Sequence, residues 1–159
     1  MSREAYANGR PTPALVLLAA LLPAVAACSK STELQPVATV EQIMETTVEP
    51  VSNAVFDAAA WTNGVQVGGP KTDDDWKLVE ANARMLAETG NLLMMGSRAK
   101  DQVGWKARTE SMMDAANQAA EAAHQKNTDA VFNAGTKIYQ ACTGCHLQYI
   151  NPAVTPAAK

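Results

Sequence analysis

The chain predicts an all-α fold, an antiparallel four-helix bundle, on three observations. Four segments carry apolar residues at steps of three and four, the spacing that places them on one helix face. No stretch shows the strict apolar–polar alternation of a half-buried strand. Between the helical segments lie short runs rich in Gly, Pro, Asn and Asp, short enough that successive helices run antiparallel.

The first helix is expected from Val37 to about Trp61, with Val37, Val40, Met44, Thr47, Val51 and Val55 as its inward stripe. Pro50 falls inside that pattern. It cannot donate to the carbonyl of Thr46, so a kink is expected there. Thr62 to Lys71 contains Gly64, Gly68, Gly69 and Pro70 and reads as a loop. Thr72 or Asp73 then caps the second helix, and Asp74 and Asp75 complement the helix dipole in its first turn. Trp76, Val79, Ala83, Leu86, Gly90 and Leu93 repeat along it at the a/d spacing of a bundle seam.

Gly96 ends the second helix, and Arg98 and Lys100 follow in the connection. Asp101 is the expected cap of the third helix, whose stripe is Trp105, Thr109, Met112, Ala116, Ala119 and Ala123. Those small residues permit close helix approach or leave room for a flat ligand. Asn127 or Thr128 caps the fourth helix, with Val131, Gly135, Ile138, Cys142, Cys145 and Tyr149 on its inward face. Asn151-Pro152 stops it, and 151–159 is a tail. The helical domain is therefore expected over 37–150.

The residues before it have a different character. Arg3 and Arg10 form a positive start, and Leu15 to Ala27 an apolar run broken by Pro23, too short for a stable membrane span. The run ends in Val25-Ala26-Ala27-Cys28, which looks like a bacterial lipoprotein signal. That resemblance implies that residues 1–27 are removed and that Cys28 carries the lipid, on the periplasmic side of a membrane. The alternative is cleavage after the Ala24-Val25-Ala26 pattern, a free Cys28 and a soluble periplasmic protein. A polar stretch to Pro36 makes 28–36 a tether.

The formal charge is −3, and losing Arg3, Arg10 and Glu4 with the leader leaves 11 basic and 15 acidic side chains, net −4. Such a chain is no nucleic-acid binder on electrostatic grounds. Its mild acidity suits a partner with a basic docking surface. No nucleophile–base constellation and no phosphate-cradling glycine motif is visible, so no enzymatic activity is expected.

The chemistry is concentrated in Cys142-Thr143-Gly144-Cys145-His146. C-x-x-C-H is the pattern of covalent haem c attachment: two thiols add to the two haem vinyl groups, and the adjacent imidazole reaches the iron. On a helix Cys142 and His146 are four apart with Cys145 between them in angle, so all three share a face. Gly144 adds no side chain where a porphyrin must lie close to the backbone. A C-x-x-C redox pair normally accompanies a βαβ pattern, which is absent. A zinc site needs four ligands, and only His124 remains to join these three. Leu147 to Lys159 contains no Met, His or Cys, so any second axial ligand lies upstream.

A C-terminal C-x-x-C-H on the last of several helices resembles the class II cytochromes c, the four-helix-bundle family that includes cytochrome c′, over roughly Val37 to Tyr149. The resemblance implies His146 as proximal ligand. It also implies Met44 as distal ligand, since low-spin members carry a methionine about two turns into the first helix. It further implies electron exchange with periplasmic redox proteins; dimers are frequent in the family, which puts a homodimer among the implied partners. The competing reading of Met44 is a flexible core filler, and Met85, Met94, Met95, Met112 and Met113 are further methionines to consider. In that case the haem is five-coordinate and binds nitric oxide or carbon monoxide.

Three cationic residues, Arg84, Arg98 and Lys100, are candidates to pair with haem propionates, with Arg98 preferred for its place at a helix junction. Trp76, Trp105 and Tyr139 are expected chiefly in the core. His124 is expected at the surface near the end of the third helix, where a cation complements the dipole.

Overall fold

A computed structural model describes residues 34–150; the expected leader, Cys28 and the tail 151–159 lie outside the described residues. Among the described residues the fold is all-α with four main helices, as the periodicity predicts.

Helix α1 covers residues 40–57. It opens on a capping box in which the Thr39 hydroxyl accepts from the Gln42 N–H at 3.1 Å while the Gln42 side chain accepts from the Thr39 N–H at 2.9 Å. Val37, expected on the inward stripe, therefore precedes the helix and is 94% exposed. The helix is α-helical at Val40–Ile43 and Glu49–Asp57, with a π turn at Met44–Val48 between them. Pro50 explains the turn. It offers no N–H to Thr46 and its ring crowds that carbonyl, so the backbone widens by one residue just upstream. The kink expected at Pro50 is thus a π turn that precedes it. The extra residue also shifts the buried face, which runs through Ile43, Val48, Ser52 and Val55 rather than through Thr47. The helix stops at Asp57, short of Trp61.

The connection expected as a plain loop contains a minimal hairpin. Trp61–Thr62 (β1) pairs antiparallel with Val65–Gln66 (β2) around Asn63-Gly64. Both turn residues have left-handed φ, 51° and 78°, the requirement of a type I′ turn that Asn-Gly meets at low cost.

Helix α2, Asp73–Met94, starts on a second capping box between Thr72 and Asp75. Its expected stripe is buried from Val79 through Leu93, with Trp76 half-buried at the edge. A single turn of 3₁₀ helix, Gly96–Arg98, leads towards α3, Gly104–His124. Asp101 caps α3 from outside, one carboxylate oxygen accepting from the N–H groups of Val103, Gly104 and Trp105. Every residue of the expected α3 stripe is buried. Gly90 permits the close approach of α2 and α3, since a side chain there would collide with Met113. The buried Trp105 indole donates to the Leu93 carbonyl at 2.9 Å, fixing one helix against the other.

Helix α4, Thr128–Tyr149, is capped by Asn127, which accepts from the Ala130 N–H at 3.0 Å. Val131, Gly135 and Ile138 are buried, whereas Cys142, Cys145 and Tyr149 are half-buried. Helix α3 packs along both α2 and α4. Helix α1 lies mainly on α2 and meets α4 over a short stretch, where Phe56 faces Gly135. Leu86, Ile138, Val55 and Val131 are the largest apolar side chains fully enclosed by this packing. Each contributes about 1.5–3 kcal/mol by leaving water. Among the described residues no helix is long and apolar enough to cross a membrane.

Candidate functional site

Because α1 touches α4 only briefly, the space between its first half and the end of α4 stays open as a cleft with two lobes. The first lobe, about 260 Å³, is walled by Met44, Val48 and Phe56 of α1 and by Cys142, Cys145 and His146 of α4. Leu93, Thr109 and Met112 reach it from α2 and α3. The second lobe, about 840 Å³, extends towards Arg98, Lys100 and Tyr149. Met44, Glu45, Cys145 and His146 line both lobes. The larger volume falls within the ~300–1,000 Å³ of ordinary ligand and cofactor pockets.

Helix geometry brings the pentapeptide's three functional side chains to this cleft. Both cysteines carry free thiols. Burial pushes the Cys142 thiol up, assisted by the neighbouring Cys145. Burial also pushes the Cys145 thiol up, against the pull of the Arg108 guanidinium. The His146 ring is exposed to the cleft and has no hydrogen-bond partner among the described residues. Among the described residues, no three His, Cys, Asp or Glu side chains converge as direct ligands of one ion. Across the cleft, half-buried Met44 stands at the first position of the π turn.

The other expected residues separate. Arg98 borders the second lobe, but it is only 7% exposed and its Nε donates to the Ala38 carbonyl at 2.9 Å. Its Nη1 donates to the Leu92 carbonyl at 3.0 Å, so the guanidinium ties the end of α2 to the approach to α1. Lys100 lines the second lobe. Arg84 lies outside both lobes, paired with Glu80 at 2.7 Å. His124 pairs with the same Glu80 at 3.2 Å, far along α3 from the cleft. Trp105 is buried as expected and meets Tyr149 edge to face, ring centroids 5.0 Å apart. Tyr139 departs from its expected core position: it is 65% exposed and stands at the rim of the first lobe.

One cleft residue carried no sequence pattern of its own. Arg108 projects from α3 into the first lobe, and its guanidinium lies over Gly144. A Cβ on Gly144 would sit 2.7 Å from Arg108 Nη1 and 3.1 Å from Cζ. The space left by the glycine is thus occupied by a cation. A small residue inside the pentapeptide was the visible half of this contact.

No family model matches the chain, and no curated protein or solved structure matches it.

Proposed function

We propose that the chain is a c-type cytochrome, an antiparallel four-helix bundle with one covalently held haem c, and that it transfers single electrons. The observation that carries the reading is the meeting of Met44 with Cys142, Cys145 and His146 around one largely apolar cleft, although α1 and the pentapeptide are about a hundred residues apart. The donor set suits the group: two thiols for vinyl addition, a free imidazole, and a soft thioether on the facing wall. A dithiol redox pair would call for a depressed thiol. Both cysteines are shifted the other way.

In this reading Cys142 and Cys145 tether the cofactor to α4, and His146 donates its imidazole nitrogen to the metal. Met44 would supply a further donor from α1. Val48, Phe56, Leu93 and Met112 exclude water from the first lobe. A haem held there supplies one-electron iron chemistry, with thioether ligation favouring the ferrous state. Cys28 anchors the protein by its lipid to the periplasmic side of a bacterial membrane, where its partners are other redox proteins. Mass analysis of the mature N-terminus tests the anchor; an unmodified Cys28 would refute it.

A second reading is a five-coordinate haem that binds nitric oxide or carbon monoxide. The apolar first lobe beside an only half-buried Met44 favours it. The visible spectrum of the reduced protein separates the two. Sharp α and β bands that are lost in Met44→Ala support electron transfer through a His/Met pair. A broad high-spin band in the unchanged protein, with ready carbon monoxide uptake, supports the gas-binding reading.

A further inference from the structure

We propose that Arg108 is a positioned charge that raises the site's affinity for an electron, acting through space from its seat over Gly144. The inference rests on the haem reading above. Arg108 lines the lobe that holds Cys142, Cys145 and His146, and its guanidinium lies beside Gly144, between the two cysteines in sequence. Arg98 is committed to two carbonyls, Arg84 to Glu80 and Lys126 to Asp73, while Lys100 lies on the second lobe. Among the described residues the exposed Arg108 guanidinium has no hydrogen bond and no ion pair.

Reduction adds one negative charge to the site, and a nearby fixed cation favours that state. Arg108 is exposed, so water screens the interaction in part and added salt weakens it further. The charges facing Arg108 are Glu45 and Glu49 on the α1 wall. Their carboxylates favour the oxidised state, so the two walls act in opposite senses. Arg108 is not placed as a propionate partner. The cysteines mark the vinyl edge of a haem, and its propionates leave from the opposite edge. Gly144 is the enabling residue, because any side chain there displaces the guanidinium.

The test is a redox titration of the haem-loaded protein and its Arg108→Gln, Arg108→Lys and Glu49→Gln variants, at low and high salt. Haem content is first measured on the denatured chain. Arg108→Gln should weaken electron affinity by about threefold at low salt, ~28 mV for a one-electron couple. Arg108→Lys should retain most of the wild-type value, Glu49→Gln should shift it the opposite way, and the differences should shrink in high salt. The visible spectrum should not change. Equal midpoints for wild type and Arg108→Gln, or a shift accompanied by altered ligand bands, would overturn this inference and leave the haem reading standing. A wild-type chain without covalent haem would overturn both.

Discussion

The backbone N–H of Glu49 donates to the carbonyl of Met44, five residues back, immediately before Pro50. This bond closes the π turn, and it couples a proline with no direct place at the cleft to the methionine on the cleft's α1 wall. Replacing Pro50 by Ala restores a donor for the Thr46 carbonyl and lets the segment relax to α-helix. One residue fewer in the wide turn rotates everything upstream by roughly 100° relative to the rest of α1. Pro50→Ala should therefore turn Met44 away from the cleft. In the haem-loaded protein the reduced spectrum should move from low spin to high spin, with helix content by circular dichroism unchanged. An unaltered spectrum would show that Pro50 does not place Met44.

The packing of α2 provides an internal comparison. Leu86 is fully enclosed, whereas Leu78 on the same helix is 64% exposed. Leu86→Ala should cost about 2–5 kcal/mol in urea unfolding, from lost burial and a residual cavity. Leu78→Ala should stay within about 0.5 kcal/mol. Similar losses at the two positions would contradict the described packing.

The turn that precedes α3 is linked to the end of α4, because the Tyr149 hydroxyl donates to the Asp101 carboxylate. That bond first, and then the N–H groups of Trp105, Val103 and Gly104, hold the Asp101 carboxyl below the usual carboxylate range. A depressed carboxyl contributes stability that is present above its unfolded value, about 3.9, and is lost as pH falls through the folded value. Tyr149 is pushed up to about 12 by desolvation and then by Asp101. Its contribution is fully present below the unfolded value of about 10 and is lost as pH rises through the folded one. Tyr149→Phe should therefore flatten the dependence of Tm on pH both below about pH 4 and above about pH 10. Unchanged slopes in thermal melts at the two extremes would remove the link.

The fold was legible wherever one helix face meets one neighbour. The stripes of α2 and α3, including Gly90 and the alanines of α3, follow from a 3.6-residue period that nothing interrupts. In α1 the same reading failed at Thr47. The period assumes a fixed rise per residue, and Pro50 changes that rise one turn upstream of itself. Asn63-Gly64 is a strong hairpin turn, but strands of two residues are too short to alternate. The pentapeptide marked the α4 wall of the cleft by chemistry alone. A cation at a helix junction can serve either a ligand or the orphan carbonyls of the helix end, and Arg98 donates to Leu92 and Ala38 while lining the second lobe. Arg108 escaped notice because its meaning depends on Gly144, which lies on a different helix.

Thioether bonds from Cys142 and Cys145 to a haem would survive denaturation and extraction. The protein is produced in a host able to mature c-type cytochromes, denatured, extracted with acidified acetone, and its polypeptide examined by mass spectrometry and by the pyridine haemochrome spectrum. The account predicts that haem stays with the chain, on a peptide spanning Cys142 to His146, and that the Cys142→Ala, Cys145→Ala double variant loses it. Haem passing into the acetone, or a wild-type chain with two unmodified thiols at these positions, would contradict it.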